Sequence, residues 1–312
     1  DSIQTVGFVG LGKMGWPMAG HLAKAGFDLV VADTAPGVAD NFVAEHGGSV
    51  AEDLPGLGQS VEAVITMLPT SAIVRDVILG DDNGPGVADS LRKGSMVIDM
   101  STSDPVDTRN LAAELDKRGI EMIDAPVAGG VVFAKDGSLA VTAGGDPANI
   151  DRCRPLLDAM SNSIFLCGGQ GSGHAMKALN NFVNASGLIT AFEALSIGKR
   201  FGLETETMLE SMTTAATGRN TPIEKKVRPY VHNTDHITGM ALALLAKDVR
   251  ITADMADAIG AYAPIADKCS ALWTEAAERF GADLDQIDVV RLWLEGSDVS
   301  LEVTPPPEGE KK

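Results

Sequence analysis

Short β-branched runs recur through the first half of the chain, and helix-forming stretches separate them. "TVGFVG" (5–10) and "DLVVAD" (28–33) bracket a helical segment at 14–25. "EAVITML" (62–68), "SMVIDM" (95–100), "EMIDAPV" (121–127), "LAVTAGG" (139–145) and "SIFLCG" (163–168) continue the pattern, with helices predicted at 105–118 and 147–160. Strands alternating with helices predict βαβ units and a mostly parallel sheet. Near residue 168 the strand signals stop. Helices are predicted from there on, at 174–201, 205–213, 222–231, 241–260, 264–280 and 285–295. The expected fold class is α/β, with a mostly parallel sheet domain over 1–168 and an all-α domain over 169–303. The remainder, "TPPPEGEKK" (304–312), is proline-rich and charged and is expected to be disordered.

The long helix at 174–201 follows a glycine-rich loop, in the stretch "GQGSGHAMKALNN" (169–181). A P-loop would need Lys and Ser/Thr after its last glycine, but His174 follows Gly173, so this loop is not a nucleotide-phosphate cradle. Ala178, Phe182, Ala185, Ile189 and Phe192 fall on one stripe of the helix, and Met176, Leu179 and Val183 widen the apolar surface. Lys177, Asn180, Asn181 and Asn184 form a narrow polar stripe at i, i+3, i+4 and i+7. A helix apolar over most of its circumference is expected to be buried, and a buried lysine or amide needs a partner. The polar stripe therefore either bonds neighbouring loops or lines a cavity that takes something polar.

The first strand runs into "GLGKMG", with Gly10, Gly12 and Gly15 in GxGxxG spacing. The motif alone is weak in a chain with 34 glycines, but here it follows a predicted strand and opens a helix. In that setting Gly10 permits the tight turn, Gly12 lets a pyrophosphate approach the backbone, and Gly15 allows close helix–strand packing. The next strand ends at Asp33, whose carboxylate would accept from a ribose hydroxyl and repel a 2′-phosphate. No arginine follows it in Thr34, Ala35 and Pro36. NAD is expected as cofactor, and NADP less so.

Composition narrows the choices. Net charge is −18 and hydrophobic residues make up 45% of 312, which describes a globular chain with no general affinity for nucleic acid or an anionic membrane. No run reaches the roughly 20 apolar residues that span a bilayer. Cys153, Cys167 and Cys269 are too far apart for a metal cluster or a disulfide framework, so a reducing compartment is expected: cytoplasm, or mitochondrial matrix if an upstream targeting segment was removed. The five histidines include no HExxH pattern, and no metal site is expected. The sequence starts at Asp1 and the first strand begins near Gln4, which leaves no signal peptide in this stretch.

Four segments in order carry a family resemblance: "FVGLGKMGWPMAGHL" (8–22), "DAPVAGG" (124–130) with "DGSLAVTAGG" (136–145), "GSGHAMKALNN" (171–181) and "LLAKDV" (244–249). The chain resembles the β-hydroxyacid dehydrogenases, most nearly their 3-hydroxyisobutyrate dehydrogenase branch, to about residue 302. The resemblance implies a Rossmann-like domain and a helical domain entered by a long interdomain helix. It implies that Lys177 is the general acid/base and that Asn181 holds the substrate. It places Ala128, Gly129 and Gly130 at the substrate carboxylate. Gly10, Leu11, Gly12, Lys13, Met14 and Gly15, together with Leu68, Pro69 and Thr102, are placed on the dinucleotide. Lys247 falls near the nicotinamide end, with Asp248 orienting its surroundings. Where the family usually has Ser-Gly-Gly, this chain has Ala128-Gly129-Gly130, and Phe133 replaces a residue that is usually small. The missing serine removes one hydrogen bond to a charged group, worth about 1.5–3 kcal/mol.

The expected activity is NAD-dependent oxidation of a small 3-hydroxy acid. A lysine titrates near about 10.4 in water, so burial must lower its pKa for Lys177 to serve. A tartronate semialdehyde reductase or sugar-acid dehydrogenase of the same family is the nearest alternative. Imine reductases share the fold but as a class lack the lysine. A non-catalytic dinucleotide-binding regulator would have no reason to keep Lys177 and Asn181 beside a Gly-Gly loop. The long helix with its apolar second half also suggests a homodimer or homotetramer.

Overall fold

The computed structural model describes residues 3–215 and 222–301, and the tail at 304–312 lies outside them. The chain divides into two compact units, one ending at Lys177 and the next beginning at Ala178.

The first unit runs β1 (Thr5–Val9), α1 (Gly15–Lys24), β2 (Asp28–Ala32), α2 (Val38–His46), β3 (Ser49–Val50), α3 (Leu54–Ser60), β4 (Ala63–Thr66) and α4 (Ser71–Leu79). A small hairpin, β5 (Gly80–Asp81) and β6 (Gly84–Pro85), leads to β7 (Met96–Asp99), α5 (Pro105–Asp116), β8 (Glu121–Asp124), β9 (Val127–Ala128) and α6 (Gly130–Asp136). Then come β10 (Leu139–Gly144), α7 (Pro147–Met160) and β11 (Ser161–Gly168). The main sheet has the order β11-β10-β8-β7-β4-β1-β2-β3, with β9 beside β10. From β8 to β3 every neighbouring pair is parallel. β10 is antiparallel to β8 and β9, but parallel to β11. Every residue of β4 and β7 is buried, as expected for strands covered by helices on both faces.

The run predicted as one strand at 121–127 divides into β8 and β9 around Ala125 and Pro126. Proline has no N–H to give to a ladder, so the strand breaks there and the chain turns to pair with β10. α6 and the short β3 carry too little periodicity to be read from sequence.

The second unit is helical. α8 (Ser172–Phe201) enters it, followed by α9 (Thr205–Glu210), α10 (Arg228–His232), α11 (Leu242–Ala258), α12 (Pro264–Phe280) and α13 (Arg291–Ser297). Trp273, Phe192, Leu195, Leu209, Leu242 and Val249 build its core. Wide π-type turns at Ser211–Ala215 and Ile223–Val227 replace parts of the α-helices predicted at 205–213 and 222–231. Thr213 donates its hydroxyl to the Leu209 carbonyl at 2.7 Å, and Pro229 has no N–H to return; both loosen an α-helical ladder. The last predicted helix, 285–295, starts as a 3₁₀ turn at Gln286–Val290 before α13.

Along α8 the buried stripe is narrower than its composition suggests. Ala178, Ala185, Leu188, Ile189, Phe192 and Leu195 are buried, but Met176, Leu179, Val183 and Ile197 are exposed, the last two by 67% and 65%. One chain supplies core for only one side of so apolar a helix.

Glycine placement at the end of β1 is sterically set. Gly10 has φ +99°, and a Cβ on it would strike the Met67 carbonyl oxygen. A Cβ on Gly15 would strike the Gly10 carbonyl oxygen, so α1 can approach β1 only with glycine there. Gly15→Ala should therefore lower stability by about 1–3 kcal/mol, the usual range for overpacking. Urea denaturation reads this directly; a midpoint unchanged from wild type would contradict the packing assignment.

Candidate active site

The ends of the parallel strands in the first unit gather the groups expected around a dinucleotide. Gly10 donates its N–H to Ala32 O at 3.0 Å, which carries the parallel β1–β2 ladder one residue past β1. Asp33 then accepts from Leu11 N at 2.7 Å and from Ala35 N at 2.8 Å, one bond to each carboxylate oxygen. The carboxylate thus caps the glycine loop as well as marking the strand end. A carboxylate has about four lone-pair sites, so capacity remains for ribose hydroxyls. Gly12 differs from its two companions. A Cβ there would meet nothing within 4 Å, so the fold itself does not require glycine at this position. Gly12 and Lys13 are exposed, Met14 is partly buried, and α1 starts without a side-chain cap or an acidic residue in its first turn. That combination of open space and uncapped helix amides suits a pyrophosphate. The residues present therefore fit a dinucleotide.

After β4, Leu68 donates its N–H to Ser101 Oγ at 2.9 Å, and Pro69 beyond it is exposed. Thr102, half-buried, lies between the buried Ser101 and Ser103. The end of β7 is organised by Asp99, which accepts from Thr66 Oγ1 at 2.9 Å, Ser103 Oγ at 2.6 Å and Ser101 N at 3.0 Å.

Ala128 pairs with Ala140 across the β9–β10 ladder, and the backbone then passes through Gly129 (φ +125°) and Gly130 (φ +73°) into α6. A Cβ on Gly129 would lie 2.7 Å from the Phe133 Cβ, so Phe133 packs directly over that glycine. Phe133 is 48% exposed. The two departures from the family pattern, Ala128 and Phe133, thus flank the same glycine pair.

The loop before α8 is glycine-rich for packing. A Cβ on Gly173 would strike the Thr142 carbonyl oxygen, and one on Gly144 would lie 2.7 Å from both Asp124 Oδ1 and Gly173 N. Into this tight space Asp124, fully buried, presents its carboxylate to Gly171 N at 2.7 Å and His174 N at 2.8 Å. Gln170 Nε2 adds a third bond at 3.3 Å. Lys177 follows one turn later and is half-buried.

In the second unit, Asn181 Nδ2 donates to Asp248 Oδ2 at 2.7 Å. Lys247 Nζ lies 3.2 Å from Asp248 Oδ1. Asp248 is only 4% exposed, and it holds both expected site residues of this unit. With its NH₂ committed to the carboxylate, Asn181 keeps its carbonyl oxygen for another partner. Lys177 and Asn181 are one turn apart along α8 and so share a face.

Sequence reasoning passed over the buried polar cluster at the start of α8. Asp99, Ser101, Thr108, Asp124 and His174 are each at most 2% exposed. Asp124 opens "DAPVAGG", and His174 follows Gly173 in "GSGHAMKALNN". Polar residues spaced so far apart in sequence give no local sign that they meet. Burial pushes the Cys153 thiol up to about 12, and it raises Cys167 and Cys269 as well. Among the described residues no group of three or more His, Cys, Asp or Glu could hold a metal ion, and no helix is long and apolar enough to cross a membrane.

Comparison with known proteins agrees over almost the whole chain. Residues 5–169 match the family described as the NAD binding domain of 6-phosphogluconate dehydrogenase. Residues 171–293 match the family described as the NAD-binding domain of NADP-dependent 3-hydroxyisobutyrate dehydrogenase. The mitochondrial 3-hydroxyisobutyrate dehydrogenase of Mus musculus is 34% identical, over 80% of this chain and 75% of its own. An NAD-dependent L-serine dehydrogenase of Pseudomonas aeruginosa is 32% identical, over 93% of this chain and 98% of its own. The solved structure of a Mycobacterium tuberculosis 3-hydroxyisobutyrate dehydrogenase with L-serine superposes with a TM-score of 0.83 at 33% identity, covering 93% of this chain and 98% of that one.

If Asp33 reads the ribose, the wild-type enzyme should show a higher kcat/KM with NAD than with NADP. Asp33→Ala should narrow that ratio by at least ~10-fold, a loss of about 1.4 kcal/mol of discrimination. Steady-state kinetics with both cofactors decides it, and a wild-type preference for NADP would reject the assignment.

Proposed function

Because this chain belongs to the β-hydroxyacid dehydrogenase family, close to 3-hydroxyisobutyrate dehydrogenase, we propose that it oxidises a small 3-hydroxy acid with Lys177 as general acid/base. It is an NAD-dependent oxidoreductase acting on CH–OH groups. The observation that carries the substrate-side reading is the clamp in the second unit, where Asp248 fixes the Asn181 amide one turn after Lys177.

The residues divide the work as follows. Gly10 to Gly15, Asp33, Leu68, Pro69 and Thr102 hold NAD, and the family resemblance assigns Lys247 to its nicotinamide end. When bound, NAD supplies the hydride acceptor. Ala128, Gly129 and Gly130 receive the substrate carboxylate through backbone N–H groups, since Ala128 has no hydroxyl to offer. The Asn181 carbonyl oxygen accepts from the substrate and positions it. Neutral Lys177 takes the hydroxyl proton as the carbonyl forms, and in the reverse direction its ammonium returns that proton to the carbonyl oxygen.

L-serine is itself a 3-hydroxy acid, and two of the relatives carry it in their names. The apolar Phe133 beside Gly129 favours an alkyl-bearing acid such as 3-hydroxyisobutyrate over the amino acid, and over tartronate semialdehyde or a sugar acid. The exposed apolar residues Val183, Ile197 and Phe201 on α8 support a homodimer or homotetramer. Three free cysteines support a reducing compartment, cytoplasm or mitochondrial matrix.

Proton transfer by a positioned side chain is worth ~10²–10⁴-fold, so Lys177→Met should lose at least ~100-fold in kcat while the Kd for NADH stays within about threefold. A folded Lys177→Met enzyme within tenfold of wild-type turnover would end the catalytic reading.

Ala128→Ser should add a hydroxyl donor for the carboxylate and lower KM for 3-hydroxyisobutyrate by up to ~10-fold, at the low end of a hydrogen bond to a charged group. A panel of small 3-hydroxy acids and L-serine is the assay. If KM rises or stays unchanged for every acid, the carboxylate is held elsewhere.

A further inference from the structure

His174 is completely buried, and its ring is gripped on both sides. Nε2 lies 3.0 Å from the Ser101 carbonyl oxygen, which can only accept, so Nε2 carries a proton and donates. Nδ1 lies 2.8 Å from Thr108 Oγ1 on α5. Two carboxylates stand just beyond bonding range, Asp99 Oδ2 at 3.7 Å from Nε2 and Asp124 Oδ2 at 3.8 Å from Nδ1. The simplest account of such a residue is a core histidine whose polar atoms happen to be satisfied.

Its partners argue for more than that. Ser101 adjoins Thr102, and its hydroxyl receives the Leu68 N–H, so the carbonyl that holds the ring belongs to the loop expected against the dinucleotide. Asp99 ties the same loop down through Ser101 N and Ser103 Oγ. Asp124 caps α8 through backbone N–H groups, and any residue other than proline at position 174 would supply that N–H. The cap therefore fixes where α8 begins without needing a histidine. The side chain adds a different constraint: two lateral bonds that set the rotation of α8 about its own axis. Lys177 stands three residues on, about 4.5 Å further along that axis. Side-chain tips lie about 5–6 Å from a helix axis, so a rotation of about 10° moves one by about 1 Å, and an error of that size can cost ~10²-fold in rate.

We propose that His174 is a positioning residue, which sets the rotation of α8 so that the Lys177 amine is aligned with the Leu68 and Ser101–Ser103 loops. This rests on Lys177 being the proton-transfer residue. His174 touches neither substrate nor cofactor and acts through the helix.

The test compares His174→Leu with His174→Gln. Leucine keeps the bulk and drops both bonds, whereas a glutamine amide can still donate to Ser101 O. His174→Leu should lose at least ~10-fold in kcat, with the KM for NAD and the Kd for NADH within about threefold, and His174→Gln should return kcat to within about threefold of wild type. In a Lys177→Met background, His174→Leu should cost less than about twofold more, because both changes remove one function. A folded His174→Leu enzyme with kcat within about twofold of wild type overturns the proposal, as does a full additional loss in the Lys177→Met background. An equal kcat loss in His174→Gln overturns it too. Should His174→Leu not fold, Thr108→Val, which removes one of the two lateral contacts, takes its place with the same thresholds. If neither folds, the cluster is structural and the proposal falls. Near-wild-type turnover by Lys177→Met alone rejects the lysine reading, and that result is read separately from the histidine variants.

Discussion

Everything around the start of α8 depends on the carboxylate of Asp124. The start of an α-helix leaves about four backbone N–H groups without partners, and burying them unpaired is costly. α8 begins in a place too tight for any side chain at Gly173. Asp124 answers both needs by reaching from the end of β8 and taking Gly171 N and His174 N on its two oxygens. A negative charge at a helix start also meets the positive end of the helix dipole. The glycines on either side exist to let that carboxylate in.

A second carboxylate does the matching job later on the same helix. Asp248 holds Asn181 one turn after Lys177, while Asp124 and the His174 ring hold the turn before it. The lysine is thereby bracketed along α8 by two buried acids, each within its own compact unit. Asp124 fixes the backbone at the start of the helix, and Asp248 fixes the Asn181 amide further along it.

The elements of the fold were mostly legible because they depend on local pattern. Alternating β-branched runs marked β1, β2, β4, β7, β8, β10 and β11, and 3.6-residue periodicity marked α8, α11 and α12. Two kinds of feature were hidden. One is the backbone exception: Pro126 splits a run that reads as a single strand, and Thr213 and Pro229 accompany π-type turns inside segments that read as plain helix. The other is the long-range polar contact. "DAPVAGG" and "GSGHAMKALNN" were readable as motifs, but that Asp124 of the first caps the helix of the second is a fact of three dimensions. The same holds for His174 and Thr108, 66 residues apart in the chain. On the apolar side, composition made α8 look buried all round, whereas one chain covers only part of it. Local pattern tells which faces are apolar, not how many of them a single copy can cover.

The glycine loop after β1 has a consequence for how this enzyme tolerates change. Gly10 and Gly15 are demanded by backbone atoms of the chain itself, while Gly12 faces open space. Within six residues, then, two positions answer to folding and the one between them does not. A lineage that abandoned dinucleotide chemistry could exchange Gly12 and keep its architecture, but it could not exchange the other two so freely. The architecture of this loop is thus fixed at Gly10 and Gly15, and Gly12 is the position at which it is free to vary.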